Sequence, residues 1–222
     1  MKKRLSIYSM MIMETMTVKM GGNYYHFNPG DKFKWQLLTK RLESVDFIFW
    51  DSGFFIRLMN SAKPQPNDVL MCKAFHQLLR DSNDTISVTC DFVLEEVANH
   101  FISRFYDIER IKINKKEPDK YLNWTSLYKD HPELITNAIP FLDSMMEIID
   151  KTPVFIHRAE TDVEKNALSL IKKYNLCAMD AFILATMLDA GIEDIITTDV
   201  RDLKIVKESD LINIYSCYRI AG

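Results

Sequence analysis

The sequence predicts an α/β protein: a three-layer α/β/α sandwich with a central, mostly parallel sheet, plus an N-terminal extension. Three observations lead there. Phe47-Ile48-Phe49-Trp50 is a short continuous apolar run, the mark of a strand covered on both faces. Strand-like runs alternate with stretches of helical periodicity, the order that builds a parallel sheet between helical layers. At 222 residues, 47% apolar and 27% charged, the chain has the size and balance of one generous globular domain.

The elements follow in order. Residues 1–44 differ in character from the rest: a methionine-rich run ends at Gly21-Gly22, and Pro29-Gly30-Asp31 signals a further turn. They are expected to pack on the main domain, residues 45–222, starting with a strand or hairpin and including a short helix over 34–43. After the strand at 47–50, Gly53 opens a helical segment that Pro64 and Pro66 break, and Asn67-Asp68 start another to about residue 80. A second strand is expected at 85–89. A helix over 91–106 places Val93, Val97, Phe101 and Phe105 on one stripe. The polar, basic stretch 112–120, closed by Glu117-Pro118-Asp119, reads as a loop. A helix over 132–149, a strand over 153–156 and a helix ending near 174 come next, the last headed by a capping box of Thr161 and Glu164. The clearest helix spans 178–190 with Gly191 as its stop, and strands at 194–197 and 211–215 complete the set.

Composition removes several function classes. A formal net charge of -3 gives no global attraction to nucleic acid, which counts against a pure nucleic-acid-binding module and less against a nuclease with an acidic site. Cys72, Cys90, Cys177 and Cys217 show no paired spacing, so they read as small apolar residues in a reducing compartment, not as a zinc ribbon or disulfide framework. Met1-Lys2-Lys3-Arg4 and the apolar residues behind it faintly suggest a signal peptide, but Glu14 interrupts the run. No window approaches the roughly 20 apolar residues of a membrane span, so a cytoplasmic protein with no membrane partner is expected. Six glycines, with neither a P-loop nor GxGxxG, weigh against nucleotide binding. No HExxH occurs, His26, His76, His131 and His157 lack ligand spacing, and the turn-related pair Glu96 and His100 reads as a surface contact. Ser52 lies in no nucleophile-elbow motif.

Four carboxylates remain. Asp51 directly follows the first strand, and Asp199 lies two residues past the strand ending at Thr197. In open α/β sheets the crevice beyond the carboxyl ends of the strands is where ligands bind, so both acids are expected on one edge. Asp180 heads the stripe of Ile183, Leu184, Met187 and Leu188, and Glu96 flanks that of Val93, Val97 and Phe101, with Glu95 as its competitor. Acids grouped in an apolar setting repel one another and require a compensating cation. Mg²⁺ or Mn²⁺ suits such hard oxygen donors, singly or as a pair, and metal sites of this kind hydrolyse phosphodiesters.

The stretches Asp51-Ser52-Gly53-Phe54-Phe55, Val93-Leu94-Glu95-Glu96-Val97, Met179-Asp180-Ala181-Phe182-Ile183-Leu184-Ala185-Thr186 with Gly191, and Ile196-Thr197-Thr198-Asp199 resemble, in order, the four signature segments of PIN domains. The resemblance covers residues 45–222. It implies a Mg²⁺- or Mn²⁺-dependent endoribonuclease, often a toxin of the VapC type held by an antitoxin, in which dimers are common. It gives the metal positions to Asp51, Glu96, Asp180 and Asp199, favours Glu96 over Glu95, makes Asp202 an outer ligand, and sets Ser52, Thr197 and Thr198 beside the site.

Arg104, Lys112, Lys115 and Lys116, with Arg110 and Lys120 near them, are the best local basic cluster. They read either as a phosphate-tracking rim or as a solvated loop, and Tyr121 and Trp124 as base-stacking or core residues. The leading expectation is thus a metal-dependent ribonuclease acting on RNA. The alternatives are a catalytically silent binding or scaffold protein on the same fold and a structure-specific DNA nuclease.

Overall fold

Ile48, Phe49 and Trp50 are fully buried, as an apolar run without polar alternation requires of a strand with helices on both faces. The computed structural model describes residues 16–20, 23–27, 42–60, 67–82, 84–159, 162–198 and 211–216. Its strands are β1 (Met16–Met20), β2 (Asn23–Phe27), β3 (Phe47–Trp50), β4 (Ile86–Cys90), β5 (Val154–His157), β6 (Asp194–Thr197) and β7 (Asn213–Ser216). Its helices are α1 (Ser52–Leu58), α2 (Asn67–Asp81), α3 (Asp91–Lys116), α4 (Trp124–Asp130), α5 (Ile139–Lys151), α6 (Val163–Tyr174) and α7 (Ala178–Asp189), with a 3₁₀ segment at Pro132–Ala138.

The sheet runs β2-β1-β7-β6-β3-β4-β5. Strands β3 to β7 are all parallel, and helices cover them to give the expected α/β/α sandwich. The hairpin β1–β2 joins antiparallel to β7, with Thr17 opposite Ser216. The expected helix over 34–43 lies, except for its last two residues, outside the described residues.

The order of the strands fixes where a ligand would bind. The chain builds outward from β3 through β4 to β5, then returns to β6 on the other side of β3. The direction of winding therefore reverses between β3 and β6, and the crevice beyond their carboxyl ends is the topological switch point. The core beneath it is aromatic. Trp50 meets Phe54 edge-on at 4.9 Å and the ring of His76 at 5.5 Å. Helix α7 is apolar all round, burying Ala181, Ile183, Leu184, Ala185 and Met187, which only a helix enclosed by other elements can do. It stops at Gly191, whose φ of 69° is the left-handed conformation glycine adopts most cheaply.

Three elements differ from the sequence expectation. Residues 112–116 are not loop: α3 runs unbroken to Lys116. Ile102, Tyr106 and Ile113 form a second stripe that Tyr121, Leu127 and Leu134 cover, a small core separate from the main one. Lys115 and Lys116 in the last turn suit the negative end of the helix dipole, and Pro118 follows the stop. The expected helix over 132–149 divides in two, because Pro140 has no N–H to continue a helix and fits the first turn of a new one. Helix α4 was not anticipated. Asn123 caps it, accepting the Ser126 N–H at 2.9 Å. Thr161, and with it the expected capping box, lies outside the described residues.

Candidate active site

Asp51 sits at the switch point. Its backbone N–H donates to the Ile196 carbonyl at 3.0 Å, tying the end of β3 to β6. Its carboxylate is half-buried, and the hydroxyl of Thr197, itself fully buried at the end of β6, donates to Asp51 Oδ2 at 2.5 Å. Its pKa is raised from the ordinary 3.8 to about 6, chiefly by burial and with help from the charges of Glu96 and Asp180, against lowering hydrogen bonds from Thr197 and the Ser52 N–H. The fold therefore brings two of the other sequence-predicted acids, Glu96 and Asp180, within electrostatic reach of Asp51.

Each partner arrives on its own element. Glu96 is on the first two turns of α3 and half-buried, whereas Glu95 is exposed, so of the two competing acids it is Glu96 whose charge acts on Asp51. Asp180 is in the first turn of α7 and half-buried. The helices bring their positive ends toward these acids, which lowers the cost of placing negative charge there. Asp199 and Asp202 lie outside the described residues.

Two supporting contacts were not read from the sequence. Cys177, counted above among small apolar residues, is exposed: its thiol donates to Asp180 Oδ2 at 2.9 Å and accepts the Asp180 N–H at 3.4 Å, so it caps α7 and orients the acid together. The signal available was its place three residues ahead of the acid at a helix start. Cys72 and Cys90 are buried and in no disulfide, as expected, and Cys217 lies outside the described residues. The second contact is at Gly53. A Cβ there would collide with Thr198 Oγ1, so the glycine lets α1 approach the end of β6. Gly53→Ala is expected to cost about 1–3 kcal/mol. A lowered urea midpoint that Thr198→Ala largely restores would verify this, and an unchanged midpoint would refute it.

The donor set is suited to a divalent cation: carboxylate oxygens from β3, α3 and α7, and a threonine hydroxyl already committed to Asp51. Among the described residues, no three His, Cys, Asp or Glu side chains converge closely enough to hold a metal ion. Glu96 and Asp180 each act electrostatically on Asp51.

The basic cluster is rearranged by the continuity of α3. Arg104 is exposed and lies about 12 Å along the helix axis from Glu96, but Lys112, Lys115 and Lys116 are about 24–30 Å away. Lys112 is moreover paired with Glu109 at 2.9 Å. His100, one turn beyond Glu96, is held below its usual pKa by burial and by Arg104 and Arg57, so the pair stays without a histidine cation. Tyr121 is buried in the small second core, and Trp124 is part-exposed against Tyr106. Among the described residues no helix is long and apolar enough to cross a membrane. Compared with known proteins, the chain matches no family model and no curated sequence.

Proposed function

We propose that this protein is a divalent-metal-dependent endoribonuclease that hydrolyses RNA phosphodiester bonds, with Asp51, Glu96, Asp180 and Asp199 as the metal-holding acids and Asp202 behind them. The single observation behind this reading is the half-buried Asp51 carboxylate at the topological switch point, its pKa raised to about 6 under the charges of Glu96 and Asp180. An ionised Asp51 is costly to the fold there, and a bound Mg²⁺ or Mn²⁺ offsets that cost. The resemblance to PIN domains supports the same assignment.

When bound, the divalent ion supplies Lewis-acid activation of the attacking water and neutralises charge on the phosphate. The chain's own residues prepare the place. Thr197 donates to Oδ2 of Asp51 and so fixes which carboxylate edge turns to the crevice. The Ser52 N–H favours the ionised form of Asp51, and the Cys177 thiol donates to one oxygen of Asp180 and so orients it. In this reading the acids are carried on strand ends and helix starts, elements that position a site more precisely than loops do.

In this proposal the substrate is RNA, a small antitoxin protein is a candidate partner, and a gene for such a partner beside this one would favour the toxin role. The test is cleavage of single-stranded RNA by the purified chain with Mn²⁺ or Mg²⁺, run beside single-stranded and flap DNA. Cleavage of RNA that stops in EDTA and in a folded Asp180→Asn variant is expected. Full activity of that variant, activity in EDTA, or cutting of DNA alone would overturn it.

A further inference from the structure

A cavity of about 350 Å³ opens at the same carboxyl edge of the sheet, one strand over from Asp51. Cys90, Asp91 and Phe92 at the β4–α3 junction form one wall, His157 and Arg158 at the end of β5 another, and Thr186 on α7 its floor. It shares its framework with the acids. Helix α3 holds both Phe92 and Glu96, and α7 holds both Asp180 and Thr186, six residues or about 9 Å apart along its axis. The charge of Asp51 is felt at the Cys90 thiol, so the cavity and the acid adjoin.

Its lining is mixed: Phe92, Ala159 and Val163 supply apolar surface, and Asp91, Arg158, Asp162 and Glu164 supply charged groups of both signs. Phe92 is half-buried and braced by Phe182, ring centres 5.2 Å apart. At the rim Arg158 faces Asp91 at 3.3 Å, with side chains 81% and 60% exposed, and His157 faces Asp189 at 3.4 Å. Arg158 and Asp91, a long and wet pair, contribute little to the fold and open easily. Opened, they set a guanidinium donor fork beside a carboxylate acceptor, next to a ring. This is the combination that reads the hydrogen-bonding edge of a base while stacking on its face.

We propose that this cavity is a nucleobase subsite, holding the base of a nucleotide that flanks the phosphodiester cut at Asp51, with Phe92 as its stacking surface and Arg158 and Asp91 as its readers. The proposal rests on the ribonuclease reading above and gives that activity a sequence preference. Unlike the basic residues far along α3, this subsite is close enough to be reached within the same stretch of strand.

Two measurements on the full chain separate the subsite from the activity. In the first, Mn²⁺-supported cleavage is compared across RNA oligonucleotides differing only in the nucleotides flanking one cut. A preference for one base is expected, and Arg158→Gln or Asp91→Asn should reduce the ratio of kcat/KM between best and worst base by about ten-fold. Equal cleavage next to all four bases, or an unaltered preference in both variants, would overturn the subsite while leaving the nuclease standing. In the second, AMP, GMP, CMP and UMP are titrated in EDTA while backbone resonances of residues 90–92, 157–159 and 186 are followed by NMR. Shifts there that weaken in Arg158→Gln support the subsite even if no RNA is cut. Absence of shifts at millimolar nucleotide, or identical shifts in the variant, would overturn it.

Discussion

Asp51→Asn is expected to abolish metal-dependent cleavage and to make the metal-free protein more stable at pH 7.5. Raising this carboxyl from 3.8 to about 6 means that its ionised form costs about 3 kcal/mol in the folded state at neutral pH. Because the folded pKa lies above the unfolded one, the wild-type chain has its full stability from this group only below about pH 4 and loses it as pH rises through 6. Asparagine cannot ionise, still offers Oδ1 to the Thr197 hydroxyl, and escapes that loss. The variant's advantage should therefore approach 3 kcal/mol at pH 7.5 in EDTA and shrink toward zero near pH 4.

His76 gives this comparison a second signature. Its ring, half-buried against Trp50 and hydrogen-bonded to Thr152 at 2.7 Å, has its pKa lowered to about 4 by burial and by Arg80. Here the folded pKa is below the unfolded one, so stability is present above about pH 6.5 and falls as pH drops through 4. Between those limits the two groups act in opposite directions, and acidification of the wild type should change little. Without Asp51 the histidine's loss stands alone, and Asp51→Asn should lose stability steeply between pH 6.5 and 4. Urea midpoints at several pH values check both statements. A gap between variant and wild type that is the same at pH 4 and pH 7.5 would contradict them.

Glu96→Gln should lower cleavage by at least about 100-fold, more than the loss of a group that merely orients a ligand. Glu95→Gln should leave activity within about two-fold, since an exposed side chain one position away reaches solvent instead of Asp51. Removing the Glu96 charge should also lower the Asp51 pKa, because Glu96 is one of the forces raising it. Steady-state rates with Mn²⁺, together with a pH titration of Asp51 by NMR in EDTA, measure the pair. Equal damage from both substitutions would mean that the assignment of α3's acid is mistaken.

The layered architecture was legible because its signals are local. A strand buried on both faces has to be apolar, as Ile48 to Trp50 is, and a helix enclosed by other elements has to be apolar nearly all round, as Ala181 to Met187 is but for Thr186. The extent of α3 was not legible, since the stripe that extends it is satisfied only by Tyr121, Leu127 and Leu134, which arrive later in the chain. The same limit applied to Cys177: composition describes a cysteine as a small apolar residue, whereas a neighbouring Asp180 N–H and carboxylate turn it into a cap.

By itself the sequence determined which residues are acidic, which segments must be buried, and that Asp51 and Asp180 each open an element. Only the tertiary structure decided that β6 returns beside β3, that Glu96 and not Glu95 turns toward Asp51, and that Thr197 grips its carboxylate. The reason is physical. Burial preference and helical period act over a few residues, but the field one carboxylate exerts on another depends on distances that chain order does not contain.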